Sequence, residues 1–187
     1  MAGRLFVVSG PAGAGKGTII ERVRSSRPDL ALSVSATTRA PRAGEAHGVS
    51  YYFLSEEDFR ARVDGGEFLE WAEVHGNLYG TLKSEVESRL LQGSLILEID
   101  TQGAFNVREM MPGCVLVFIA PPSLEVLRER LVGRGSETPQ TLAVRMANAE
   151  VEMERSARYD AVVVNDDLDA AVAEVLSVMA RYEAELP

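Results

Sequence analysis

The chain has 187 residues, 46% hydrophobic and 25% charged. That is the size and make-up of one domain able to bury roughly 70% of its unfolded surface, and it excludes a disordered, collagenous or coiled-coil protein. Its 28 acidic and 19 basic residues leave a formal charge of −9, a surface that repels a polynucleotide backbone.

In chain order, Arg4–Ser9 reads as an apolar strand, entered with no cleavable signal pattern before it. A glycine-rich turn and a helix over Thr18–Ser26 follow, with Ile19, Ile20 and Val23 at helical spacing. From about Ser33 to Leu82 strand-like pieces, Ser50–Leu54 and Phe68–Val74, alternate with glycine turns, which predicts a small β-rich insertion. Inside it Ser55 caps a short helix with Phe59 and Val63 on its apolar side. Apolar strands then recur at Ser94–Ile99, Val115–Ala120 and Ala161–Val164, separated by helices at about 82–91, 103–110, 123–132, 139–157 and 168–182. Strands apolar on both faces alternating with helices predict an α/β fold, a parallel sheet covered by helices. Ser123, Thr138 with Pro139 behind it, and Asp167 mark helix starts, and the turn Val132–Thr138 reads as a mobile lid.

The longest apolar run, Cys114–Pro122, is too short to span a bilayer, so no membrane partner is expected. One cysteine, Cys114, and two histidines exclude an internal disulfide and a Cys/His zinc site and fit a reducing, cytoplasmic compartment. Trp71, Cys114, Met110, Met111, Met146 and Met153 have no chemical neighbours in sequence and read as packing. Composition leaves a homo-oligomer open.

The strongest chemical signal is Gly10-Pro11-Ala12-Gly13-Ala14-Gly15-Lys16-Gly17-Thr18, between the first strand and the first helix. Its glycines let main-chain N–H groups turn inward around an anion, the helix N-terminus adds its dipole, and Lys16 reaches outer phosphates. Gly17 stands where such loops usually carry the Ser or Thr that ligates magnesium, and Thr18 comes one position later, so the magnesium ligands stay open.

A second basic element, Ser33-Val-Ser-Ala-Thr-Thr-Arg39-Ala-Pro-Arg42-Ala-Gly-Glu45, sets two arginines three apart around Pro41. Guanidinium forks at that spacing suit a phosphate; a solvated loop would read the same way on composition alone.

With these segments, YYF at 51–53, EWAEVHGNLYGT at 70–81, EIDTQG at 98–103, GRGSET at 133–138 and VNDDL at 164–168, the sequence resembles guanylate kinases in motif order over nearly its whole length. The resemblance implies a five-stranded parallel sheet of the P-loop NTPase type with a small β-rich GMP-binding insertion and a lid. In one domain over 1–187, the core would take about 1–32, 83–132 and 150–187, the insertion 33–82 and the lid 133–149. It implies ATP at Gly10–Thr18, with Asn165 near the base, and a clamp of Arg39, Arg42, Tyr51 and Tyr79 on the GMP phosphate. Ser35, Glu70 and Thr81 would meet guanine, Glu70 accepting from the paired N1–H and amino donors that adenine lacks. Asp100 would face the incoming phosphate or the magnesium, with Glu98 assisting. Lys16, Arg39, Arg134 and Arg145 would stabilise the transferring charge, with Arg130 a further candidate.

The expected reaction is ATP + GMP to ADP + GDP, with Mg2+ entering on ATP, in purine nucleotide metabolism. Two alternatives from the same residues are a non-catalytic guanylate-kinase-like module that binds phosphopeptides, and a P-loop kinase for another nucleotide. The intact phosphate loop counts against the first and the Glu70, Arg39 and Arg42 set against the second.

Overall fold

Leu5–Ser9 (β1) is buried at every position because the strand is covered on both faces. Phe6 and Val8 enter one apolar cluster and Leu5 and Val7 another, the two-residue alternation of a strand between two helical layers. This computed structural model describes residues 3–74, 76–133, 135 and 138–186.

The chain continues through α1 (Lys16–Ser26), β2 (Ala31–Leu32), β3 (Ala36–Thr37), β4 (Tyr52–Phe53), α2 (Glu56–Asp64), β5 (Phe68–Val74) and β6 (Asn77–Leu82). It then runs through α3 (Lys83–Leu90), β7 (Leu95–Glu98), α4 (Thr101–Met110), β8 (Val115–Ala120), α5 (Leu124–Gly133), α6 (Pro139–Arg155), β9 (Ala161–Val164) and α7 (Leu168–Ala184). Five strands form a sheet in the order β2-β7-β1-β8-β9, parallel at every pairing. Apolar side chains of α1 and α7 cover one face, and those of α3 and α4 the other. Parallel strands need such crossovers, and these place the C-terminal ends of β1 and β7 side by side.

Four further strands form a second sheet, β4-β3-β6-β5. It has its own small core of Ala36, Phe59, Phe68, Leu78 and Leu82, with the rings of Phe59 and Phe68 stacked at 4.4 Å. Leu69, next to Phe68 on β5, packs into the main core with α3 and α4, so β5 ties the two sheets together.

Local capping matches the helix starts read from sequence. Ser55 Oγ accepts from the Asp58 N–H and Asp167 Oδ1 from the Ala170 N–H, and Thr138 and Thr141 form a reciprocal capping box that spans Pro139. Four of the five core strands lie where apolar runs predicted them. The fifth, β2, is two residues long, too short to show a period. The helix expected from 103 begins at Thr101 because Asp100 caps it, its Oδ1 accepting from the Gly103 N–H at 2.7 Å.

Trp71 and Met110 correct the packing expectation: they are 43% and 47% exposed. β5 is an edge strand whose burial fades beyond Glu70, and Met110 is the last residue of α4. Cys114 is buried as expected, and burial pushes its thiol up from the ordinary value. No described helix is long and apolar enough to cross a membrane.

Candidate active site

β1 ends at Ser9 and the chain turns through Gly10–Gly15 before α1 starts at Lys16. Gly10 and Gly15 hold φ values of 143° and 93°, which L side chains rarely adopt. A Cβ on Gly10 would stand 2.2 Å from the Ile119 carbonyl oxygen of β8, so close approach to the sheet also demands glycine there. Lys16 Nζ donates to the Gly10 and Pro11 carbonyls at 2.5 and 3.2 Å, folding its ammonium group over the turn. The α1 N-terminus, with Gly17 and Thr18 exposed in its first turn, opens beside it.

Beyond the ends of β1 and β7 a cleft of about 190 Å3 opens toward the second sheet, and Ser35, Tyr51, Glu70, Tyr79, Glu98 and Asp100 line it. Six residues scattered over 66 positions of sequence thus meet in one hollow. A β-bulge between Phe68 and Glu70 sets the register so that Glu70 pairs with Thr81; bulges commonly re-aim a side chain beside a site. Thr81 is fully buried and its hydroxyl donates to Glu70 Oε1 at 2.6 Å. It lies behind Glu70, outside the cleft lining. Burial lifts the Glu70 carboxyl above the usual carboxylate range; the Thr81 hydroxyl pulls it back, while the Asp100 charge adds to the rise.

Arg39 stands at the rim. Its guanidinium lies 5.4 Å from the Tyr51 ring centroid and pairs with Glu45 at 2.8 Å. The rings of Tyr51 and Tyr79 meet edge to face at 6.2 Å. Glu45 also accepts from the Arg42 N–H, closing the 39–45 loop on itself, and that Arg39 fork holds the Glu45 carboxyl below its ordinary range. Arg42 itself is exposed.

Arg145 lies half-buried on α6; Arg134 falls outside the described residues. Arg130 is engaged with the Asn165 carbonyl at 2.9 Å. Asn165, expected near the ATP base, donates from Nδ2 to the Ala14 carbonyl at 2.7 Å. Sequence reasoning passed over Glu152, which brings a buried, unbonded Oε2 into the field of Lys16 and Asp100. Burial raises its carboxyl, and the Lys16 charge draws it back. The available signal was spacing: Glu152 follows Arg145 by seven residues, two turns along one helix face. A larger, mostly apolar groove of about 660 Å3 lies at the opposite end of β1, lined by Leu5, Leu90, Met110 and Cys114. It contains none of the candidate anion-binding side chains.

Two candidate anion sites therefore flank the ends of β1 and β7, where ligands of open parallel sheets gather. Residues 2–182 match the family model described as guanylate kinase. The chain belongs to the guanylate kinase family. Guanylate kinase of Symbiobacterium thermophilum is 49% identical over 183 residues, covering 97% of this chain and 87% of that protein. Guanylate kinase of Salinibacter ruber is 49% identical over 180 residues, covering 95% and 96%. The crystal structure of guanylate kinase from Anaplasma phagocytophilum superposes with a TM-score of 0.74 at 34% identity, covering 97% of this chain and 87% of that one. The five-stranded parallel sheet with its flanking helices is thus a P-loop kinase fold, and the chain is an ATP-dependent phosphotransferase of the guanylate kinase family.

Proposed function

We propose that the Gly10–Thr18 loop holds ATP and the cleft around Glu70 holds GMP, so that the two phosphates meet above the ends of β1 and β7. The reaction is ATP + GMP to ADP + GDP. The carrying observation is the convergence of Ser35, Tyr51, Glu70, Tyr79 and Asp100 on one cleft next to the loop.

Glu70 is held by Thr81 with its carboxylate available to two neighbouring donors, which guanine offers and adenine does not. In this reading Thr81 serves the base through Glu70, and Ser35 meets the other base edge. Arg39, Arg42, Tyr51 and Tyr79 take the GMP phosphate, which must draw Arg39 away from Glu45. A phosphate monoester is mostly dianionic at neutral pH, so its oxygen attacks the γ-phosphorus without a general base. The new O–P bond forms as the bond from that phosphorus to the β,γ-bridging oxygen breaks, and ADP leaves with that oxygen. Lys16, Arg39, Arg145 and Arg134 supply the charge that such a loose transition state needs.

Mg2+ fits the donor set. Thr18, Glu98 and Asp100 are hard oxygen donors beside the loop, and no described group of three or more acids, histidines or cysteines forms a cage of its own. That suits an ion carried largely by phosphates and water. When bound it neutralises charge on the phosphate oxygens.

The division that fits this reading is a core of about 1–32, 83–132 and 150–187, a GMP-binding part over 33–82 and a lid over 133–149. The separate sheet and core of the middle segment support it. A cytoplasmic place in purine nucleotide metabolism fits the substrates. A coupled assay of ADP release across GMP, AMP, dTMP and UMP tests the assignment. GMP should be turned over far faster than the rest, and equal turnover of AMP would overturn the base pocket.

A further inference from the structure

Asn165 is held at three points. Its N–H donates to the Ala120 carbonyl at 2.8 Å, its own carbonyl accepts from Arg130 Nη2 at 2.9 Å, and its side chain donates to the Ala14 carbonyl at 2.7 Å. Only 7% of the residue is exposed. A Cβ on Gly15 would sit 2.3 Å from its Nδ2, so this side chain occupies the flank of the loop that a larger residue at 15 would need.

In a trans peptide the carbonyl and the following N–H point in opposite directions. Holding the Ala14 oxygen therefore aims the Gly15 N–H the other way, into the set of amides that gathers an anion. Without that restraint the Ala14–Gly15 plane is free to rotate, because glycine tolerates most backbone angles. We propose that Asn165 is a positioning residue for the phosphate loop, fixing this peptide plane so that the Gly15 N–H meets the ATP phosphates, rather than a reader of the adenine base. The inference rests on the phosphate-binding reading of the loop. Arg130, reaching from α5, holds the same residue from the other side and so extends the support to a second helix.

The test compares a ligand carrying a base with one carrying none. Dissociation constants for ADP and for inorganic pyrophosphate are measured by calorimetry with GMP saturating, which blocks the second anion site and permits no transfer. Asn165→Leu keeps much of the shape and adds no charge but cannot donate to the Ala14 oxygen. It should weaken ADP and pyrophosphate alike by about tenfold, or ~1.4 kcal/mol, and leave GMP affinity unchanged. Asn165→Ala, which removes the donor without changing the charge, should shift both in the same direction by a similar factor and serves where Asn165→Leu fails to fold. Weakened ADP with unchanged pyrophosphate would make Asn165 a base reader and overturn the proposal, as would no change in either. Wild-type protein that binds neither ligand would overturn the reading of the loop itself.

Discussion

The two candidate anion sites are built from different materials. The Gly10–Thr18 loop relies on main-chain groups, with backbone angles that favour glycine and a tie from Asn165, all anchored in the largest apolar cluster among the described residues. The Glu70 cleft relies on side chains from a second sheet whose own core is five residues. Backbone sites recognise charge and shape common to all triphosphates; side-chain sites can distinguish one base from another. Rigidity and discrimination are thereby assigned to separate parts of the fold.

The largest test of that division is Lys16→Ala, which should lower turnover roughly 10^3-fold while GMP binding, measured separately, stays near wild type. Loss of GMP binding as well would mean that the two sites are not independent. Next is Gly10→Ala. With φ at 143° and the Ile119 oxygen in the way, it should cost about 3 kcal/mol of stability, read as a lowered Tm, whereas an alanine at the exposed turn glycine Gly44, where a Cβ meets nothing, should lose less.

Glu70→Ala should reduce the preference for GMP over AMP on the order of 10^2-fold and leave the KM for ATP alone; unchanged selectivity would remove Glu70 from the base pocket. The pH response sharpens the same point. A carboxyl lifted by burial keeps its proton to higher pH in the folded protein than in the unfolded chain. It therefore lowers stability as pH rises from the ordinary carboxylate value through the raised one, and that penalty disappears on acidification. The proposed guanine contact needs the ionised form, so the KM for GMP should rise by about tenfold per pH unit below the raised value, and Glu70→Gln should flatten that slope.

Smallest is Ser55→Ala, which removes the cap of α2 and should cost about 1 kcal/mol. Its effect should fall on GMP binding and thermal stability and leave ADP affinity untouched.

Long-range geometry separates what was legible in the sequence from what was not. β1, β7 and β8 announce themselves because strands covered on both faces are apolar nearly throughout, and β9 by its unbroken run of alanine and valine although half of it is exposed; Ser55, Thr138 and Asp167 do so because a cap acts within three residues. Glycine spacing revealed the loop, since its conformation is a local matter. Asp100 was singled out as a ligand, yet its capping bond to Gly103 needs the exact start of α4. Nothing near Asn165 in sequence indicates a bond to a carbonyl 151 residues away. The partnership of Glu70 with Thr81 depends on a bulge, and one extra residue in a strand leaves no compositional trace.

The outermost position of β9 affects how copies of the molecule meet. Val162 and Val164 stand 41% and 49% exposed there, an oily rim that invites a neighbour's strand to add itself. Asp166 and Asp167 lie just beyond the end of this four-residue edge at Val164, while Asp160, ahead of Ala161, is paired with Arg108. A strand approaching this edge therefore meets negative charge at its C-terminal end. Asp166 and Asp167 are thus placed as gatekeepers against sheet-to-sheet aggregation, a guard that weakens wherever concentrated salt screens them.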